Sequence, residues 1–394
     1  MGPHASEPEA SPARLIPRSV MERCQMRDPS AALVALGVAL ALSSPVRTQE
    51  RLPPNGGELQ KLDATFDLLR SRSAKDYAIS TTNGIDEAKY LQVGGIEQWV
   101  TIRGEDRANP VVLVLHGGPG DATNPWGHAG FRAWLKTYTV VQWDQRGAGR
   151  TLGRNGRASS AVLTIDRLVQ DGVELADALR TSLRKDKIIL LGHSWGSVLG
   201  VLMAKAKPEL FSAFVGTGQV GDPARGYSVA FDALLAKARA SSSDARALRE
   251  LEEIGPPPYK DGRGYQVQRR WSNLFEGADA FIASMLGFAL IAPGYTTRDL
   301  NDWIDGQRLS AERLVPQSSA LPPTALTGRF ALPVFVIQGS EDFTTPTSLA
   351  KAFVDGVEAP RKAFVPIKGG HFAVFMNSSE FLKELDALLG ITTR

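Results

Sequence analysis

The sequence predicts an α/β protein, a mostly parallel sheet with helices on both faces and an all-helical cap inserted between two strands. Three observations carry this. Short continuous apolar runs recur at 111–115, 138–143, 187–191, 213–215, 333–338 and 363–366, and such runs mark strands buried on both faces. Helical patterns alternate with them, and alternation of strand and helix gives a parallel sheet covered on both sides. The alternation then stops over 222–330, where no strand-like run occurs and the helical pattern is broken at Gly255-Pro256-Pro257-Pro258 and at Pro293-Gly294.

Composition bounds the rest. With 394 residues, 43% hydrophobic and 22% charged, the chain can bury a large core, which argues against wholesale disorder and a multi-span membrane protein. A net charge of +3 over that length is not a phosphate-binding footprint, so no nucleic-acid partner is expected. The single cysteine, Cys24, excludes an internal disulfide framework, a Cys-rich zinc site and a CxxC redox motif.

Taken in order, residues 1–50 read as a leader and an unstructured N-terminus. Arg23 and Arg27 precede an uncharged run over 31–42, followed by the small residues Ser43 and Ser44, the order of a secretory signal. Twelve residues are too few to span a bilayer as a helix. Removal of this segment would leave a cysteine-free chain suited to the bacterial periplasm or the medium. No other membrane association is expected, and the oligomeric state is left open. Residues 51–89 hold a Pro/Gly linker and then Leu59, Leu62, Phe66 and Leu69 at helical spacing. The sheet domain occupies 90–221 and 331–394, opening with a hairpin over 90–102 around Gly94-Gly95. Within it, Ile165, Leu168, Val169, Val173, Ala176 and Leu179 repeat at helical spacing after Thr164, a good N-cap. The cap fills 222–330. Asp222-Pro223 should begin its first helix, and the apolar stretch 281–292 should form cap core or a wall over a pocket.

The chemistry is concentrated in one turn. The run 187–191 leads into Gly192-His193-Ser194-Trp195-Gly196, and an apolar helical run follows. This is G-x-S-x-G between strand and helix, a sharp turn that presents a serine above the strand ends with the next backbone N–H facing a developing oxyanion. Ser194 is therefore the candidate nucleophile, and Trp195 supplies one oxyanion donor. A serine hydroxyl needs a base, itself oriented by a carboxylate. Of five histidines, His4 is in the leader, His193 reads as packing, His116 as a backbone-bonded residue and His128 as a solvated loop residue. His371 remains, in the loop Lys368-Gly369-Gly370-His371 after the last strand. Asp342, or its neighbour Glu341, follows the run 333–338. The order Ser194, acid, His371 is that of an α/β-hydrolase fold. A second oxyanion donor is expected in His116-Gly117-Gly118-Pro119-Gly120, Gly118 by preference with Gly117 as the rival. Gly216-Thr217-Gly218-Gln219-Val220-Gly221 matches a dinucleotide fingerprint in form, but no second strand with an acidic end follows it. No cofactor and no metal are expected.

Together, His116-Gly117-Gly118-Pro119-Gly120, Trp143-Asp144-Gln145-Arg146-Gly147, Gly192 to Ser197, the spacing of Gly339, Asp342 and Pro346, and Gly370-His371 resemble the prolyl aminopeptidase (proline iminopeptidase) family of α/β-hydrolases, from about residue 90 to the C-terminus. The resemblance implies the triad Ser194, Asp342 and His371, with Asp342 preferred over Glu341. It implies a structural role for Asp144-Gln145-Arg146. It also implies that Glu276, in Trp271-Ser272-Asn273-Leu274-Phe275-Glu276-Gly277, binds the substrate's α-amino group. A second family glutamate has no counterpart near 285–295. The expected enzyme is a serine hydrolase acting through an acyl-enzyme on short peptides or amino-acid amides. An esterase or amidase for small uncharged substrates is the alternative, and a non-catalytic binding protein on the same scaffold the remote one.

Overall fold

A computed structural model describes residues 56–240, 244–260 and 262–391. The leader expected over 1–50 lies outside the described residues. The hairpin β1 (Ile85–Val93) and β2 (Ile96–Gly104) turns at Gly94-Gly95, and both strands run beyond the expected limits. The apolar runs become β3 (Val111–Leu115), β4 (Thr139–Trp143), β5 (Ile188–His193), β6 (Phe211–Thr217), β8 (Val334–Gly339) and β10 (Lys362–Ile367), preceded or separated by the two-residue strands β7 (Gly328–Arg329) and β9 (Val357–Glu358). The large sheet has the order β1-β2-β4-β3-β5-β6-β8-β10. It is antiparallel only where the hairpin joins at β1/β2 and β2/β4 and parallel from β4 onward. The pairing of β7 with β9 sits at the end of the segment expected to be wholly helical, and two residues are too few to leave a strand pattern.

Alternation along each buried strand feeds two cores. Leu113, Leu115, Val141, Leu190, Phe214 and Val336 point to one face. There they meet α4 (Ile165–Ser182) and α5 (Trp195–Ala206), while Val112, Val140, Ile189, Val215 and Phe335 point to the other. That opposite face is closed by Trp134 and by α14 (Ser378–Leu389) through Phe381 and Leu385. Two-sided burial is why these strands read as unbroken apolar runs. Thr164 caps α4 as expected, its side chain accepting the N–H of Arg167 at 3.1 Å. The Trp143 to Gly147 turn is structural. The Arg146 guanidinium donates to both Asp171 oxygens at 2.7 and 3.2 Å, and both side chains are buried.

The short helices α2 (Asn124–Gly130) and α3 (Gly149–Asn155) follow β3 and β4. Before the sheet, α1 (Gly56–Asp76) docks through Arg70, which donates to the carbonyl of Leu290 at 3.2 Å. The cap comprises α6 (Gly226–Arg239), α7 (Ala245–Ile254), α8 (Gly262–Phe275), α9 (Asp279–Leu290), α10 (Thr297–Ser319) and α11 (Pro323–Leu326). Asp222 does not begin α6. Its carboxylate accepts the N–H groups of Ala224 and Arg225 in a turn, and the helix starts at Gly226. The proline breaks fall between α7 and α8 and between α9 and α10, as expected. α9 is neither an internal cap core nor mainly a pocket wall but the seam between cap and sheet domain: Phe281 stacks on Phe375, which follows β10 in the sheet domain, at 5.6 Å and meets Trp126 of α2 edge-on at 6.1 Å. The remaining short α-helices are α12 (Thr347–Asp355) and α13 (Ala373–Met376).

Candidate active site

Three loops at the C-terminal ends of parallel strands bring the candidate residues together, the edge where open α/β sheets bind ligands. Ser194 sits between β5 and α5 with φ of +56° and ψ of −129°, a strained conformation for a non-glycine residue. Glycines at 192 and 196 make the turn possible: a Cβ at Gly196 would stand 2.1 Å from the Leu115 carbonyl oxygen, and one at Gly192 2.6 Å from that of Gly196. The Ser194 hydroxyl donates to His371 Nε2 at 2.9 Å, and His371 Nδ1 donates to Asp342 Oδ2 at 3.0 Å.

The acid is surrounded by donors. Asp342 Oδ1 accepts the N–H of Thr344 and Thr345 at 2.9 and 2.7 Å, and Oδ2 accepts Gln338 Nε2 and Thr345 Oγ1, both at 2.8 Å. Burial pushes its carboxyl up, to about 7, against these hydrogen bonds. Glu341 is exposed instead and faces Lys237 at 3.5 Å. Burial, aided by the positive charge of Arg269, drives His371 down to about 3, so the imidazole rests neutral and can accept a proton. His193 packs its ring 4.9 Å from that of His371.

Of the proposed oxyanion donors, Trp195 is the first residue of α5, so its N–H has no acceptor within the helix. Gly117 and Gly118 both line the cavity above Ser194. A Cβ on Gly117 would approach the Ser194 Cβ to 2.8 Å, so this glycine is needed for clearance. The cavity measures about 690 Å³ and reaches from these loops to the cap residues Tyr227 and Arg269.

Two expectations are corrected. Glu276 does not face the cavity. Following α8, its Oε1 accepts the N–H groups of Phe343 and Thr344 at 2.8 and 3.1 Å, and its Oε2 accepts the N–H of His371 at 2.7 Å. The carboxylate is spent on the two loops that carry Asp342 and His371, leaving little acceptor capacity for a substrate ammonium. Burial and the nearby negative charge of Asp342 push its carboxyl up, while the imidazole of His371 and the backbone donors oppose the shift. His128 is not a solvated loop residue. It is buried in α2, edge-on to Tyr77 at 4.9 Å and to Phe288 at 6.0 Å, and burial drives it down to about 3.

Sequence reading also missed four charged residues of the cavity wall, Asp121, Arg269, Arg270 and Asp279. Asp121 directly follows His116 to Gly120, so an acid at the end of the oxyanion loop was its available signal. Its Oδ1 accepts Gln307 Nε2 at 3.1 Å, and burial pushes its carboxyl up to about 6. Arg269 had no such signal to set it apart from the other Lys and Arg residues of the cap's first half.

The family model described as the alpha/beta hydrolase fold matches residues 110–378. The chain belongs to the α/β hydrolase fold family. It is thereby a hydrolase. Among curated relatives, a probable aminopeptidase of Bacillus subtilis (strain 168), YbaC, is 29% identical over 279 residues, covering 70% of this chain and 86% of that protein. A probable proline iminopeptidase of Streptomyces coelicolor is 34% identical over 185 residues, covering 46% of this chain and 51% of the relative. A solved proline iminopeptidase-related protein from Thermus thermophilus shares the fold, with a TM-score of 0.56, 21% identity, and coverage of 78% of this α/β hydrolase and 98% of that chain.

Proposed function

We propose that this α/β hydrolase is a serine hydrolase that cleaves amide bonds through an acyl-enzyme, an aminopeptidase of the prolyl aminopeptidase type acting on short peptides or amino-acid amides. One observation carries the chemistry: the hydrogen-bonded line from Ser194 through His371 to Asp342, at 2.9 and 3.0 Å, whose first two members line the cavity. Ser194 Oγ forms a bond to the substrate's carbonyl carbon while its proton passes to His371 Nε2. Asp342 orients the imidazole and stabilises the imidazolium. The N–H groups of Trp195 and Gly118 hold the oxyanion, and losing one such donor typically costs about 3 kcal/mol of transition-state stabilisation. The C–N bond then breaks and the leaving amine takes the proton from His371. Water gives a proton to His371 and its hydroxyl to the acyl carbon, and Ser194 leaves with that proton. The substrate preference is supported by the named relatives and by Asp121, a wall carboxylate that a substrate ammonium can approach.

A second reading, an esterase or amidase for small uncharged substrates, is favoured by the engagement of Glu276 with backbone N–H groups. Turnover of prolyl, alanyl and N-acetyl-prolyl anilides, beside p-nitrophenyl esters, separates the two. Faster cleavage of the free-amine anilides supports the aminopeptidase, and equal rates with the blocked anilide favour the second reading. In either case Ser194→Ala should lower kcat by at least roughly 10⁴-fold; absence of turnover in the unaltered protein would restore the binding-protein alternative. The proposal includes export, carried by the leader pattern of residues 1–50. Mass determination of protein recovered from periplasm or medium tests it, and an intact N-terminus there contradicts it.

A further inference from the structure

The charges on the cavity wall are not balanced among themselves. Arg270, on α8, is ion-paired with Glu250. The Asp222 carboxylate is taken up by two backbone N–H groups, and Asp279, at the start of α9, is exposed to solvent. Arg269, the residue beside Arg270, lines the same cavity, and among the described residues it meets no carboxylate within ion-pair distance. Its guanidinium carbon instead lies 5.9 Å from the ring centroid of Phe372, the neighbour of His371. Its positive charge also acts on groups around the cavity, opposing the rise that burial imposes on Asp121, Tyr227 and Asp342 and adding to the fall that burial imposes on His193 and His371.

An uncompensated guanidinium here opposes the reaction. When Ser194 attacks, His371 must become an imidazolium, and a nearby cation disfavours a second positive charge. An anion on Arg269 relieves that opposition, so an anionic substrate gains in the chemical step as well as in binding. Arginine's planar fork matches carboxylate in bidentate geometry. The charge count favours carboxylate over phosphate: one guanidinium neutralises a monoanion, whereas a dianion would leave excess negative charge in a cavity whose wall already holds Asp121 and Asp279.

We propose that Arg269 is the docking point for a substrate carboxylate, so that the cavity takes short peptides with both ends free, the ammonium facing Asp121 and the carboxylate on Arg269. This rests on the reading of Ser194 as the nucleophile and narrows the substrate class to zwitterionic di- and tripeptides.

Two matched substrate pairs test it on the full chain. Prolyl-alanine and prolyl-alanine amide differ in leaving-side charge. The esters 3-acetoxybenzoate and methyl 3-acetoxybenzoate repeat that contrast without any amino group, so the second pair does not depend on aminopeptidase specificity. The expected result is a kcat/KM ratio of acid to neutral partner of roughly 10 to 100, in either pair, falling to about 1 in Arg269→Met and recovering in part in Arg269→Lys. Ratios near 1 in both pairs for the unaltered protein overturn the proposal. So does an Arg269→Met that lowers both members of a pair equally, which would assign the residue to general transition-state stabilisation or to folding. Competition by inorganic phosphate as strong as by acetate overturns the choice of carboxylate. The underlying reading fails in a different way, when turnover persists in Ser194→Ala.

Discussion

The sheet domain and one cavity-facing residue of the cap, Arg269, treat charge in opposite ways. In the sheet domain every buried charge near the site has its partner at hydrogen-bond distance: Arg146 with Asp171, Asp144 with Asn124 and the N–H of Arg150, Asp342 with Gln338, Thr344, Thr345 and His371. In the cap, Arg269 faces the cavity with no carboxylate at ion-pair distance among the described residues. A charge that is fully paired in the resting protein holds geometry, and a charge left open waits for a ligand. On the proposed chemistry the sheet loops carry the reacting groups, and the cap contributes Arg269 to the wall against which a substrate would lie. Glu276 crosses this division, since it comes from the cap and its acceptors serve the two triad loops.

Four substitutions put that contrast to the test. The largest effect is expected from Asp342→Asn. It keeps the shape of the loop while presenting an amide to His371 and should lower kcat by roughly 10⁴-fold with little change in KM; steady-state kinetics on the folded variant checks this. Next, Asp171→Ala leaves the Arg146 guanidinium buried and unpaired. A loss of about 3–5 kcal/mol in unfolding free energy is expected, measured by urea denaturation. A third variant, Glu276→Ala, releases the N–H groups of Phe343, Thr344 and His371 together. If Glu276 positions the triad, kcat should fall by roughly 10- to 100-fold while KM for a neutral ester stays near its original value, with partial recovery in Glu276→Gln. A change confined to KM for free-amine substrates would return Glu276 to substrate binding.

The smallest effect concerns His128. Its folded value of about 3 lies below the ordinary 6.5. Between these values the unfolded chain binds a proton that the folded chain does not, so this group makes stability rise with pH and fall as pH drops below 6.5. Replacement by Phe, which suits the aromatic niche of Tyr77 and Phe288, should flatten the slope of unfolding free energy between pH 4 and 6 by up to about 1.4 kcal/mol per pH unit. An unchanged slope would show that His128 does not contribute.

These contrasts also explain what could be read from the residues alone. β3, β5 and β8 were legible because burial on both faces leaves an unbroken apolar run, and the elbow at Ser194 because its steric demands exclude side chains at 192 and 196. Asp342 and His371 were legible as polar residues just beyond strand ends. His128 was misread because its glycine-rich surroundings suggested a loop. A Cβ on Gly127 would stand 1.9 Å from Gln142 Oε1, so that glycine marks close packing of α2 on the sheet rather than flexibility. Glu276 and Arg269 were beyond reach for another reason. Which way a cap side chain points depends on how α8 sits on the loops after β8 and β10, and that long-range docking leaves no local pattern.

On the proposed chemistry Ser194 is a nucleophile activated by His371. Peptide mapping by mass spectrometry after treatment with a fluorophosphonate tests it most directly. A single adduct on Ser194, absent from Ser194→Ala and strongly slowed in His371→Gln, is the result predicted. An unmodified Ser194 in the folded protein, or an adduct that persists in Ser194→Ala, would contradict it.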